Sequence, residues 1–506
     1  MRDEEPAPVI LTGRDLTALV VEEIAAGRPV ALAPEGVARM AESRRIVDRA
    51  VDEGRRVYGL TTGLGAKATE ALSAEELSSF AYATIRGRAH AVGADLPAET
   101  CRAALAIRLN TMMSGASGAQ PALALLMERC LAAGVAPAIR AVGSIGAADL
   151  MQGGDFGLAL IGEGRMHDAG AGAEADAPGG IRPAAEALAD AGLAPHRPGP
   201  KDGLALVSHS SVSAARAALG VAAARAVYHR LQTSAALSME GFRANLSPLD
   251  LDVLAIRPQP GQDDAAAELS GLLAGSALWS PGAARRLQDP LSIRNLPQGH
   301  GALLAALRSA ETAVEAELNG ASDNPGVLLA REEILSNGGY LTPHLAITLG
   351  ALAQALSQSA AVEVARIAKL LAARFSGLTP GLGDERAGAA GLGPLMKTAE
   401  ALWAAIAHAA APPPIHPGFS ADGLEDVSVH TGLSAEALTE ICGHMDRLAS
   451  IERIVAAQAI EARALSEAPP PALRPAVEEV RALVPGLGAD RPFGDAIETL
   501  AKKLRG

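Results

Sequence analysis

Long stretches of alanine and leucine constrain this chain more than any other feature of its sequence. Val212 to Met239, Gly301 to Leu318, His344 to Phe375, Pro394 to Ala411 and Ser434 to Leu465 each read as extended helix. Hydrophobic residues make up 49% of the 506 positions and aromatic residues only 2%. The interior must therefore be packed by Ala, Leu, Val and Ile, whose small side chains let helix backbones approach closely. The expected architecture is mostly α, with a central bundle of long helices and a C-terminal helical tail over 201–506. Residues 1–200 form an N-terminal region of shorter helices and glycine-rich loops. The length is ample for a large buried core, and no fixed-period repeat is visible.

Several function classes are disfavoured. A net charge of -13 argues against nucleic acid, which rewards basic patches. Cys101, Cys130 and Cys442 are scattered and read as reduced thiols of a cytoplasmic protein, and no His/Cys/carboxylate cluster has metal-ligand spacing. No membrane span is expected, because every apolar run is interrupted by charge or glycine, and Met1-Arg2-Asp3-Glu4 does not open a leader.

The chemistry concentrates in loops. Gly143-Ser144-Ile145-Gly146-Ala147-Ala148-Asp149-Leu150 brings glycine-rich backbone into an apolar segment. Val57-Tyr58-Gly59-Leu60-Thr61-Thr62-Gly63-Leu64-Gly65 is a second such loop, followed by the capping-box pattern Ser73-Ala74-Glu75-Glu76. Further along come Asp202-Gly203-Leu204-Ala205-Leu206-Val207-Ser208-His209, Gln288-Asp289-Pro290-Leu291-Ser292-Ile293-Arg294, Ser322-Asp323-Asn324-Pro325 and Leu424-Glu425-Asp426. In this order they resemble the landmarks of the aromatic amino acid (histidine) ammonia-lyase family over roughly Val57 to Leu465. The resemblance implies the histidine ammonia-lyase fold, a small-molecule substrate, and a homotetramer whose active sites are shared between subunits.

The departures from the family pattern are as informative as the matches. Family members cyclise an Ala-Ser-Gly segment of the first loop into the electrophile methylidene-imidazolone. That reaction needs a serine hydroxyl as leaving group and an unhindered glycine amide as nucleophile. Here the loop is one residue shorter, and Ala148 and Asp149 supply neither. No cofactor is therefore expected. Leu291 replaces a family tyrosine, Ser208 an asparagine, and Val427 a histidine.

The resemblance makes Tyr58 the catalytic base, where otherwise a half-buried ring bonded to backbone would suffice. It makes Arg294 a bidentate clamp on a substrate carboxylate rather than a surface ion-pair partner. His90 matches an active-site histidine, and Ser208, Gln288, Asn324 and Tyr340 fall in or near segments where the family lines its pocket; the alternative for Gln288 and Asn324 is bracing of their loops, and for Tyr340 plain packing. Glu425 matches the glutamate that faces the substrate ring or amine. Lys397 stands off the apolar stripe Leu395, Ala399, Leu402, Ile406, and Glu400 offers it a routine surface pair. If it meets Glu425, the two grip a polar heteroaromatic ring. Arg86 and Arg88 read as solvated.

A quaternary trimethylammonium has no lone pair with which to add to an electrophile, and it leaves as a neutral amine without proton delivery. Loss of the electrophile is thus what an α-trimethylammonium substrate would permit, and the resemblance to a superfamily member that lacks the electrophile implies elimination of trimethylamine from a histidine-derived betaine carrying a thioimidazole. The alternatives are the unthiolated betaine or histidine as substrate, or a non-catalytic scaffold that retains the pocket.

Overall fold

The computed structural model describes residues 6–168, 180–383, 389–413, 417–463, 468–487 and 489–505. It is mostly α. The expected surface connection over Ala169 to Gly180 lies, except for Gly180, outside the described residues.

Contacts group the chain into two compact units, each assembled from separated segments. The first takes residues 1–222, 311–347 and 413–436, and the second takes 223–310, 348–412 and 437–506. A linear division at residue 200 is therefore not how the contacts fall. The segments around Asn324 and Glu425 belong with the N-terminal region, because their partners lie there.

The first unit holds every described strand, all of them short. Val9–Leu11 pairs parallel with Val30–Leu32, and Val92–Asp95 antiparallel with Arg140–Val142. Arg165–Asp168 is the middle strand of three, between Val135–Pro137 and Ile181–Pro183. Hairpins Gly326–Leu328 with Glu333–Leu335 and Pro417–Ser420 with Glu425–Val427 complete the set. The Ala98–Met112 helix is buried on nearly every side, with Arg108 and Asn110 among its buried residues alongside Ala103, Leu105 and Ile107.

Glycine sets the closest helix approaches. The Asp202–Val207 helix is wholly buried and packs against both Ala74–Arg86 and Leu150–Leu160. A Cβ on Gly203 would fall 2.5 Å from the Ala81 carbonyl oxygen, and one on Gly153 2.3 Å from that of Val207. The capping box is present: the Ser73 hydroxyl accepts from Glu76 N, and the Glu76 carboxylate accepts from Ser73 N.

In the second unit the described residues are helical between turns. Arg366 and Glu452, both fully buried, pair through Nε–Oε1 at 2.7 Å and Nη2–Oε2 at 2.8 Å, and Ser238 donates to the same Glu452 at 2.6 Å. The long helices are Ser211–Phe242, Leu296–Asn319, Pro343–Leu371 and Thr431–Ala462. The sequence pattern starts the last of these at Ser434, but the helix begins three residues earlier at Thr431, whose hydroxyl meets that of Thr342 at 2.7 Å. Two stretches, Asp202–Phe242 and Pro343–Leu371, do have the length and hydropathy of a membrane span. The most apolar window of the first is 89% buried inside the chain, as in a core helix, and that of the second 44%.

Candidate active site

The glycine loop is tied down on both edges. Ala148 N donates to Tyr340 O at 2.9 Å, Asp149 N to His209 O at 2.8 Å, and Val429 N to Ile145 O at 2.9 Å. Gly146 has φ +80°, and a Cβ there would lie 2.6 Å from Val429 Cγ2. Ala148 also adopts a left-handed φ of +51°, a conformation that disfavours a side chain. Asp149 is buried with its carboxylate accepting from Ser213 N at 2.8 Å and Ser213 Oγ at 2.6 Å. Burial pushes its carboxyl upward against those hydrogen bonds.

The residues present do not fit a methylidene-imidazolone. Ala148 has no hydroxyl to lose, and the amide at the next position is engaged by the His209 carbonyl. The neighbouring histidine is structural. His209 Nε2 donates to Leu206 O at 3.0 Å while Nδ1 accepts from Ser211 at 2.5 Å, tautomers assigned from these partners. Burial pulls it down to about 3, so it is neutral at physiological pH.

Tyr58 lies half-buried in its loop, and its hydroxyl oxygen accepts from Gly65 N at 3.3 Å. The short turn Gly65–Lys67 packs against Ala421–Gly423, which leads into the strand that starts at Glu425. Arg88, on the turn after the Ala74–Arg86 helix, is half-buried. Burial lowers its guanidinium from the usual arginine range, and the nearby Tyr58 and Glu425 pull it back up. Arg88 had read as solvated, and the structure half-buries it instead. His90 is exposed, with its backbone N donating to Arg88 O at 2.8 Å. Arg86 is occupied by Glu163 at 2.6 Å.

The other expected residues divide between the units. Ser208 is buried at the end of the Asp202–Val207 helix, and Tyr340 reaches the glycine loop through its backbone. Asn324 Oδ1 accepts from Asn337 N at 2.9 Å, which braces a turn. Beside it, Asp323 forms a buried bidentate pair with Arg108 at 2.8 and 2.9 Å, and Arg108 also donates twice to Ala205 O. In the second unit Gln288 and Arg294 share a cavity of about 380 Å³ with Asn245, Arg257, Asp289 and Gln298. Lys397 is exposed in the first turn of the Leu395–Ala409 helix. Among the described residues no cluster suited to a metal ion occurs.

A helical chain with a tyrosine loop, a tied glycine loop and an arginine-lined cavity has the parts of an aromatic amino acid lyase. The chain belongs to that family: its aromatic amino acid lyase model matches residues 16–482. Histidine ammonia-lyase of Anaeromyxobacter dehalogenans is 33% identical over 98% of each chain. Among solved structures, ergothionase from Treponema denticola, in complex with desmethyl-ergothioneine sulfonic acid, superposes with a TM-score of 0.92 at 27% identity over 99% of each chain. Histidine ammonia-lyase from Trypanosoma cruzi follows at a TM-score of 0.89 and 27% identity, covering 99% of this chain and 93% of that one.

Proposed function

We propose that this protein is a carbon–nitrogen lyase that eliminates trimethylamine from ergothioneine to give thiourocanate, without a methylidene-imidazolone group. The observation that carries the reading is the glycine loop, which keeps its anchored position while Ala148 and Asp149 remove the means of making the electrophile. The structural likeness to ergothionase supports the same choice.

In this mechanism Arg294 clamps the substrate carboxylate, while Lys397 and Glu425 polarise the 2-thioimidazole and acidify the adjacent methylene. Tyr58 takes a β-proton. The electron pair of that C–H bond forms the new C=C bond, the Cα–N bond breaks, and its pair departs with neutral trimethylamine. His90, Ser208, Gln288, Asn324 and Tyr340 line or brace the pocket. General-base catalysis contributes about 10²–10⁴-fold, so positioning and ring polarisation supply the remainder.

The active form proposed is a homotetramer with shared sites. The Pro343–Leu371 helix supports it, because less than half of its most apolar window is covered within the chain and Ile347 is 70% exposed. The test is incubation of purified protein with ergothioneine, following thiourocanate absorbance and trimethylamine release. Tyr58→Phe is expected to lower kcat/KM by about 10²-fold or more. Turnover of hercynine alone, or ammonia release from histidine, would reassign the substrate, and no turnover of any of the three would leave a binding protein.

A further inference from the structure

Cations gather without carboxylate partners at one place in the second unit. Lys369 Nζ lies 4.4 Å from the centroid of the Phe375 ring, and the guanidinium carbons of Arg374 and Arg286 lie 4.9 and 5.5 Å from it. Arg286 Nη2 donates to Arg374 O at 2.7 Å, while its Nε is buried with no hydrogen-bond partner. The Arg285 guanidinium carbon sits 5.6 Å from the Phe242 centroid, and a Cβ on Gly377 would fall 2.8 Å from its Nη1. Arg243 and Arg463 are tied to main chain, the first to Ala283 O at 2.8 Å and the second to Gly241 O at 3.0 Å. Among the described residues none of these cations makes an ion pair, whereas Arg86, Arg165 and Arg447 are held by Glu163, Asp95 and Glu498. The crowding has a cost: burial, then Arg285 and Arg243, pull Arg463 down to about 10. Carboxylates are plentiful on a chain of net charge -13, so cations left without them point to an anion from outside the chain.

Arg285 and Arg286 line a cavity of about 560 Å³ together with Ser247, Asp250, Trp279 and Ser280. The carboxylates beside it are engaged by main chain: Asp250 Oδ1 accepts from Asp252 N at 2.8 Å, and Asp289 Oδ2 from Asn245 N at 2.6 Å. The cavity shares Asn245, Ser247 and Leu287 with the one that Gln288 and Arg294 line. We propose that it binds a multivalent oxyanion, the phosphate of a small molecule or phosphate itself, with Arg285 and Arg286 as donors. Guanidinium groups meet phosphate oxygens two at a time, and the Arg285 N–H groups and Arg286 Nε are open for this. Lys369 and Arg374 add attraction at longer range. Trp279, 47% exposed with its Nε1 fixed on Leu273 O at 2.9 Å, offers a platform for a planar ring carried by the phosphate.

The test is titration calorimetry of the full chain at low ionic strength with phosphate, pyrophosphate and ADP. Saturable binding at one site per chain is expected. ADP binding tighter than pyrophosphate would identify a ring-bearing phosphate ester, and the reverse order an inorganic anion. Arg285→Gln should weaken binding about tenfold. Arg14→Gln, the same charge change on the first unit, and Arg294→Gln should leave it unchanged. No saturable binding at millimolar concentration would overturn the proposal, as would equal weakening by Arg14→Gln and Arg285→Gln, which marks a diffuse field. Loss confined to Arg294→Gln would place the anion in the neighbouring cavity and overturn it too. So would an Arg285→Gln protein that binds as the wild type but changes its subunit count by light scattering, since the cations then seat a second copy of the chain. If Arg285→Gln melts lower, Lys369→Gln decides: a well-folded variant should bind about threefold more weakly, and wild-type affinity would overturn the proposal. Binding is read without substrate, so the outcome is independent of whether ergothioneine is turned over.

Discussion

Replacing Arg108 by methionine tests the buried bond that braces the Ser208 and Asn324 segments. The guanidinium donates to Asp323 at 2.8 and 2.9 Å and to Ala205 O at 2.7 and 3.0 Å, with both charged side chains essentially inaccessible. Methionine keeps the apolar stem but leaves the Asp323 carboxylate buried beside Lys201 alone. Removing one partner of a buried pair costs about 3–5 kcal/mol. Unfolding entropy is about 2.1 cal/mol/K per residue, so a chain of 506 residues loses roughly 1 °C of Tm per kcal/mol. A fall of about 3–5 °C is therefore expected by calorimetry at pH 7.

The pH dependence of this deficit follows from the sign of the shift. Burial would raise the Asp323 carboxyl, yet Arg108 holds it below the usual range. The pair's stabilisation is thus present above the unfolded-state value of about 3.9 and is lost as pH falls through the lower folded value. Without Arg108 the acid can protonate earlier, so the deficit should shrink between pH 7 and pH 4. Adding Asp323→Asn should recover at least half of the loss at pH 7. A single variant within 1 °C of wild type, or a double variant no better than the single one, would refute the reasoning.

Glu363 is fully buried beside Glu452, and burial first, then the Glu452 charge, hold its carboxyl well above the usual range. It therefore favours the fold in acid and loses that contribution as pH rises above about 4.3, so Glu363→Gln should melt above wild type at pH 9 and show no advantage at pH 5. Gly154→Ala forces a Cβ against the Arg88–Ala89 backbone and should cost about 1–3 kcal/mol by thermal melting, with a larger proportional loss of turnover than of stability. Ala148→Ser alone should leave the ultraviolet difference spectrum free of any methylidene-imidazolone band, because the Asp149 amide stays bound to His209 O.

Local chemistry was the legible part of this chain. The Ser73–Glu76 box formed as written, and the helix expected from Pro394 to Ala411 runs from Leu395 to Ala409. Gln288 and Arg294 line one cavity because a single short segment, 288–294, carries both. Arg88 was missed because an arginine after Gly87 carries no sequence signature of burial. Its setting depends on Gly154, sixty-six positions away, and on Glu425, which is further still. The start of the Thr431–Ala462 helix was missed for a similar reason, since the hydroxyl contact with Thr342 is tertiary. The discontinuous units depend on such long-range contacts throughout, which residue patterns do not encode.

The anchoring of the 143–149 loop carries a lesson for anyone who would retrofit the family's electrophile. Its amides and carbonyls are committed to Tyr340, Thr342, His209 and Val429, so a residue inserted to recreate Ala-Ser-Gly shifts the registry of all those partners together. Installing the prosthetic group becomes a problem of moving three separate chain segments in concert, and swapping two letters in one turn will not suffice.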